Sequence, residues 1–357
     1  MSCYHPLKGW KIGINTSGKP NYKITSYDVK YLIKDRLGNY VESYKEIPSD
    51  SFLPRITDSI DIPCGRCVGC LLDRSRDWAT RCMLEASYHD HNCFITLTYD
   101  DEHLPEAREC INPLTGEVCE SPLRTLQKRD FQLFMKRLRK ALEPIKIRFF
   151  ACGEYGSTTY RCHFHAIIFG YDFPDRTYYK SNFRGDKYYT SELLQSCWSD
   201  KDNVPIGHVC VADISFDTCA YVARYCLKKM DNDMKDFYET FNLDPEFTLM
   251  SRKPGIGRLF YDENKEHIYE GDRIILSDKK GSKILRPPKY FDKLYDIDYP
   301  SDFEKIKNNR LNYAENKKEL ELKETDLDYL DYLKVKEEQF HNKTKIFKER
   351  RRHETSI

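Results

Sequence analysis

Between about residues 92 and 260 the chain alternates two hydrophobic rhythms. The run "NCFITLTYD" is rich in β-branched and aromatic side chains and predicts a central strand at about 93–99. In "LRTLQKRDFQLFMKRLRKALEP" the spacing changes, and Phe131, Phe134, Leu138 and Leu142 recur at the three- and four-residue steps of a helix. The rest of that helix is basic, with Lys128, Arg129, Lys136, Arg137, Arg139 and Lys140. "IKIRFFACGEYGSTTYRCHFHAIIFG" reads as strand, Gly/Ser/Thr turn and strand, an antiparallel hairpin. A helix at "SELLQSCW", a strand at "GHVCVADI" and a helix at "FDTCAYVARYCLKKM" follow. Upstream, Leu71, Leu72, Trp78, Cys82 and Leu84 line one side of a helix whose open side carries Arg74, Arg76 and Arg81. The pattern predicts an α+β fold with a mainly antiparallel sheet flanked by helices.

The flanks read differently. Residues 1 to about 63 are rich in Tyr, Lys, Gly and Pro with short strand-like runs such as "YKITSY", and predict an irregular N-terminal region. From about residue 300 the chain becomes a charged tail, "ENKKELELKE" and "KIFKERRRH", read as solvated helix or disorder. The expected division is 1–90, 91–260 and 261–357.

Composition narrows the function classes only slightly. Across 357 residues, 58 Lys and Arg against 57 Asp and Glu leave a net charge of +1, so any nucleic-acid surface must come from local clustering. With 26 Tyr and 19 Phe at a mean hydropathy of −0.71, many rings should be partly exposed, as in base-stacking surfaces or ordinary cores. No signal-like segment opens the chain and no apolar run approaches the ~18 residues of a membrane span, which predicts a soluble, unsecreted protein. Fourteen unevenly spaced cysteines suit reduced thiols and metal ligands in a reducing cytoplasm better than a disulfide framework. Three of them, Cys64, Cys67 and Cys70, form C-x-x-C-x-x-C, a structural zinc pattern that lacks a fourth ligand; Cys3, His5 or Cys82 could supply it.

The hairpin holds the more pointed chemistry. Alternation puts His163 and His165 on one face of a strand, their Cα atoms roughly 6–7 Å apart, where both imidazoles can converge on one divalent cation. Cys162, Phe164, Ala166 and Ile168 then form the core-facing side. A hard cation also calls for a carboxylate, and Glu154 on the preceding arm is placed to provide it, or else is an exposed turn glutamate. On the later helix Tyr221, Tyr225 and Lys228 share a face opposite Cys219, Ala223, Cys226 and Met230. A phenol of pKa near ~10 is a weak nucleophile at neutral pH and needs a metal ion and a neighbouring cation to attack phosphorus. The combination suggests phosphodiester transesterification through tyrosine.

These residues resemble the HUH endonuclease superfamily, specifically the replication initiation proteins of gokushovirus-like microvirus phages. "MSCYHPLKGW", "PCGRCVGCLLDRSRDWATRC", "NCFITLTYD", "FACGEYG", "RCHFHAIIFG", "AYVARYCLKK" and "SRKPGIGRLFY" are similar to that family's blocks in order. The resemblance implies an HUH core of ferredoxin/RRM-like type, His163 and His165 as metal ligands with Glu154 as a third, and Tyr221 and Tyr225 as paired nucleophiles. Lys228 or Lys229 would be the accompanying cation. Many members have proline where this chain has Cys162, which alters the strand entry and leaves both ligands in place. The implied activity is nicking of single-stranded origin DNA to start rolling-circle replication, with Mg²⁺ or Mn²⁺. The implied setting is the host bacterial cytoplasm, with host helicase and polymerase as partners and no membrane. DNA-backbone contacts are expected from Arg74, Arg76, Arg81, Lys136, Arg137, Arg139 and Lys229. The competing readings are a relaxase or transposase with the same chemistry, and a non-catalytic, zinc-stabilised DNA-binding protein.

Overall fold

A computed structural model describes residues 3–16, 18–45, 54–156, 159–182, 185–225, 232–278 and 281–354. The chain divides into two compact units. One joins Met1–Asp73 to Leu311–His353; the other is built on Arg74–Arg310. The expected boundaries near residues 90 and 260 both fall inside the second unit.

The larger unit is organised by a seven-stranded sheet among the described residues. Its order is Thr177–Ser181, Lys187–Thr190, Gly207–Asp213, Asn92–Tyr99, Cys162–Phe169, Arg148–Tyr155 and Phe247–Met250. Every neighbouring pair is antiparallel. The expected central strand therefore lies beside the second arm of the expected hairpin, and the α+β reading holds.

Helices cover both faces of this sheet, which explains why its middle strands are apolar on nearly every residue. On one face the helices Lys128–Ala141 and Glu192–Cys197 press Phe131, Phe134, Leu138 and Leu194 onto Ile95, Leu97, Phe164, Ile168 and Val211. Each fully buried side chain of this size contributes roughly 1.5–3 kcal/mol. On the other face the helices Val68–Ala86 and Phe216–Tyr225 bring Ala79, Cys82, Cys219, Val222 and Ala223 against Phe94, Phe150, Ile167 and Phe169. His163 and His165 belong to this second face.

A third cluster continues the same unit beyond the sheet. Tyr261, Ile268, Tyr269, Phe291, Tyr295 and Phe303 pack together, and Arg310 is held by Asp272 and Asp292.

The smaller unit is more ordered than an irregular region. Leu7–Ile14 pairs with Pro20–Thr25 and Ser59–Ile62, and Tyr31–Lys34 pairs with Tyr40–Ser43 and Arg55–Ile56. Its buried centre is Trp10, Val29 and Leu32, with the Trp10 indole donating to Thr25 Oγ1 at 2.9 Å. The charged tail is helical over Pro300–Lys323 and Tyr329–Glu354. It is not simply solvated: Lys318 Nζ lies 2.8 Å from Asp61 Oδ2 and donates to Tyr27 Oη at 2.9 Å, while His5 meets Glu337 at 2.7 Å. Among the described residues no helix is long and apolar enough to cross a membrane.

Candidate active site

Strand register assembles the site. Glu154 pairs directly with His163, and directly paired residues put their side chains on one face. The pairing of the two arms thus brings the carboxylate to both imidazoles. Gly153 makes room on the opposite face, where an added Cβ would stand 2.8 Å from the Phe247 ring.

Glu154 Oε1 lies 2.5 Å from His163 Nε2 and 3.0 Å from His165 Nε2. Both imidazoles are fixed from behind. His163 Nδ1–H donates to the Arg161 carbonyl at 3.0 Å, and His165 Nδ1 meets Thr96 Oγ1 at 2.9 Å. Phe94 stacks on the His165 ring with centroids 5.3 Å apart. With Nδ1 of His163 donating to a carbonyl, a neutral ring would aim its Nε2 lone pair at a carboxylate oxygen. That contact needs a positive charge between the two atoms, a proton or a metal ion.

The electrostatics favour ligand forms. Burial raises the Glu154 pKa, but the hydrogen bonds from His163 and His165 outweigh it and hold the carboxyl below its ordinary value. Burial lowers the His165 pKa against the pull of Glu154, so this ring resists protonation. Glu154 Oε2 is buried and has no hydrogen-bond partner among the described residues, an acceptor whose desolvation a cation would compensate. Two imidazole nitrogens and a carboxylate oxygen within 4.8 Å of one another fit a divalent cation, with the second ring nitrogens already oriented as metal-binding histidines require.

The helix Phe216–Tyr225 lies over this face. Tyr221 Oη donates to Glu154 Oε1 at 3.5 Å, and its ring meets the His165 ring edge-on at 5.0 Å. Tyr221 is therefore half-buried beside the stripe formed by Cys219, Val222 and Ala223, rather than turned away from it. Tyr225 is the last residue of this helix, one turn on. Lys228 and Lys229 lie outside the described residues.

The expected DNA-contacting residues separate. Arg74 and Arg76 are exposed. Arg81 is buried between the Trp78 and Tyr290 rings, 4.0 and 4.2 Å from their centroids, and its Nε donates to the Ile256 carbonyl. This places it in the core rather than on an open basic face. Lys136, Arg137 and Arg139 belong to the helix on the face opposite the histidines. Arg137 donates to the Asp200 carbonyl, and Arg139 lies over the Phe149 ring.

Sequence reasoning missed three contributors: Thr96, Phe94 and the Arg161 carbonyl. The alternation of Phe94, Thr96 and Thr98 did mark a partly polar face in "FITLTYD", but only strand register shows which histidine that face meets. Register also places His208, exposed, in the row His208, Thr98, His163, Glu154 across the sheet.

The cysteine motif gathers a second group. Cys3, Cys64, Cys67 and Cys70 have their sulfurs within 4.8 Å of one another. His5 is engaged by Glu337, and Cys82 is fully buried in the cluster that includes Cys219, so Cys3 is the residue that completes the set.

A family model for replication-associated proteins of the ORF2 kind matches residues 92–230, from the central strand through the tyrosine helix. Among curated proteins, the replication-associated protein ORF2 of Spiroplasma virus 4 is 33% identical over 360 aligned positions, covering 96% of each chain. The replication-associated protein VP4 of Bdellovibrio phage phiMH2K is 28% identical over 84% of this chain and 79% of its own. The replication-associated protein ORF4 of Chlamydia phage 1 is 32% identical over 48% of this chain and 39% of its own. No solved structure matches the chain significantly.

Proposed function

The chain belongs to the phage replication-associated protein family represented by these relatives, and from that premise we propose that it is an HUH-type endonuclease that nicks single-stranded origin DNA to initiate rolling-circle replication. The observation that carries this reading is the Tyr221 hydroxyl, 3.5 Å from the carboxylate oxygen that His163 and His165 share. A phenol held there lies beside the position where a phosphate oxygen would meet the three ligands.

Glu154, His163 and His165 would hold Mg²⁺ or Mn²⁺, which would polarise the scissile phosphate and stabilise the charge of the transition state. Tyr221 Oη attacks phosphorus, forms a 5′-phosphotyrosine and releases a 3′-hydroxyl for the polymerase. The phosphotyrosine keeps the energy of the broken diester, so the same residue can later rejoin the strand. Tyr225, four residues on, is the nucleophile for a second transfer. Lys228 is the cation that offsets the charge developing on the phenols. Arg74 and Arg76 contact the DNA backbone. The proposed setting is the host bacterial cytoplasm, with host helicase and polymerase extending the released end.

Incubation with circular phage-origin single-stranded DNA and Mn²⁺ tests this directly. We expect a covalent protein–DNA adduct whose peptide, mapped by mass spectrometry, contains Tyr221 or Tyr225. Absence of both cleavage and adduct would leave a DNA-binding protein without catalysis. Cleavage of a transfer origin or transposon end in preference to the phage origin would identify a relaxase or transposase.

A further inference from the structure

The nuclease reading leaves the cysteine motif unused. We infer that Cys3, Cys64, Cys67 and Cys70 bind one structural zinc ion that staples residue 3 to the start of the helix Val68–Ala86 and the segment before it.

The geometry is that of a single-ion site. Four thiolates around zinc at about 2.3 Å define a tetrahedron with edges of about 3.8 Å. Here Cys64 and Cys70 sulfurs lie 4.0 Å apart, Cys67 and Cys3 sulfurs 3.9 Å apart, and all four fall within 4.8 Å. A disulfide would bring two sulfurs to about 2.05 Å and leave the others aside, whereas these four converge. A multi-iron cluster would spread its cysteine sulfurs well beyond this spacing.

The backbone is folded to serve thiolates. At Gly65 φ is +78°, a left-handed turn that a side chain would strain. That turn aims the Arg66 and Cys67 N–H groups at Cys64 Sγ, at 3.4 and 3.3 Å. Tyr4 N–H donates to Cys67 Sγ and Cys64 N–H to Cys3 Sγ, both at 3.3 Å. Main-chain donors thus point at the Cys3, Cys64 and Cys67 sulfurs, which offsets the excess negative charge of a zinc tetrathiolate. Cys70 enters from the first turn of Val68–Ala86.

The smaller unit also needs a staple. Among the described residues its buried cluster is Trp10, Val29 and Leu32, packed against Ile12, Tyr40 and Ile56. So small an apolar centre is commonly supplemented by a metal. An ion linking residue 3 to residues 64, 67 and 70 closes the N-terminal sheets into one loop.

The test is elemental analysis of the full chain purified without chelator, followed by mercurial displacement of the metal into a chromogenic zinc indicator. One zinc per chain, released by thiol titration, supports the assignment. Cys3→Ala and Cys67→Ala should each weaken zinc retention by at least ~100-fold in chelator competition. His5→Ala, Cys82→Ser and the pair His163→Ala with His165→Ala should each keep a full equivalent. In the unsubstituted protein, Co²⁺ exchange should give thiolate charge-transfer bands, and alkylation of the four cysteines should accelerate only after metal removal. Iron in place of zinc, less than a tenth of an equivalent with no protection of these thiols, or full zinc in Cys3→Ala would overturn the proposal.

Discussion

Glu154 shows how much one carboxylate can organise. Its Oε1 faces both histidines and Tyr221, while Oε2 has no partner among the described residues. Glu154→Gln removes the negative charge and keeps the shape. It should reduce Mn²⁺ affinity by at least ~10–100-fold and abolish adduct formation, read by Mn²⁺ electron paramagnetic resonance titration and denaturing gels. Thr96→Val is a gentler probe, because it removes only the partner of His165 Nδ1. We expect a ~10-fold weaker Mn²⁺ site with the thermal unfolding midpoint nearly unchanged. Lowering the pH should weaken Mn²⁺ binding as His165 takes up a proton in competition with the metal ion. The lowered His165 pKa delays that loss to a lower pH than an ordinary histidine would show. At this scale the sequence was informative where periodicity speaks: alternation placed the two histidines on one face. It left Glu154 between ligand and exposed turn residue, because pattern does not set hairpin register, and it did not reveal Thr96, whose role depends on pairing between residues 69 positions apart.

The helix Lys128–Ala141 shows the limit at the next scale. Its apolar positions were legible, and Phe131, Phe134 and Leu138 are all buried. Which face of the sheet it would cover was not, because a repeat of 3.6 residues identifies a buried stripe without identifying what buries it. The helix covers the face away from the histidines, so on the proposed reading a DNA strand at Glu154, His163 and His165 would not run along Lys136 and Arg139. Reversing both to Glu should leave origin affinity and its dependence on salt within error. Replacing Arg74 and Arg76 by Ala should instead lower the slope of log affinity against log salt by up to ~1–2, measured by fluorescence anisotropy with origin DNA. Arg81 fails as a surface residue for a related reason. A guanidinium between two aromatic rings is a core element, and helical spacing alone cannot distinguish that from a solvent-facing position.

At the scale of the whole chain, the two ends belong to one unit. Met1–Asp73 and Leu311–His353 fold together, although more than 200 residues separate them. The tail is so rich in charge that its composition suggests solvation, yet Lys318 lies 3.8 Å from the centre of the Tyr329 ring while reaching Asp61 and the Tyr27 hydroxyl. Local pattern could not show this, since Asp61 and Tyr27 lie 257 and 291 positions before Lys318 in sequence. Burial of Leu333 adds an apolar anchor. The tail should therefore be a stability element of the N-terminal sheets, with an effect separable from the proposed nicking. Lys318→Glu places two carboxylates together and removes the cation from the Tyr329 face. For a half-buried pair this should cost about 1–3 kcal/mol, visible as faster proteolysis and amide exchange of residues 7–62. The proposed Mn²⁺ site at Glu154, His163 and His165 should keep its affinity in the same variant, because those residues are fixed by the seven-stranded sheet of the other unit. Equal loss at both sites would show that the two units unfold as one, whereas unchanged exchange in residues 7–62 would show that the Lys318 contacts contribute nothing to holding the ends together.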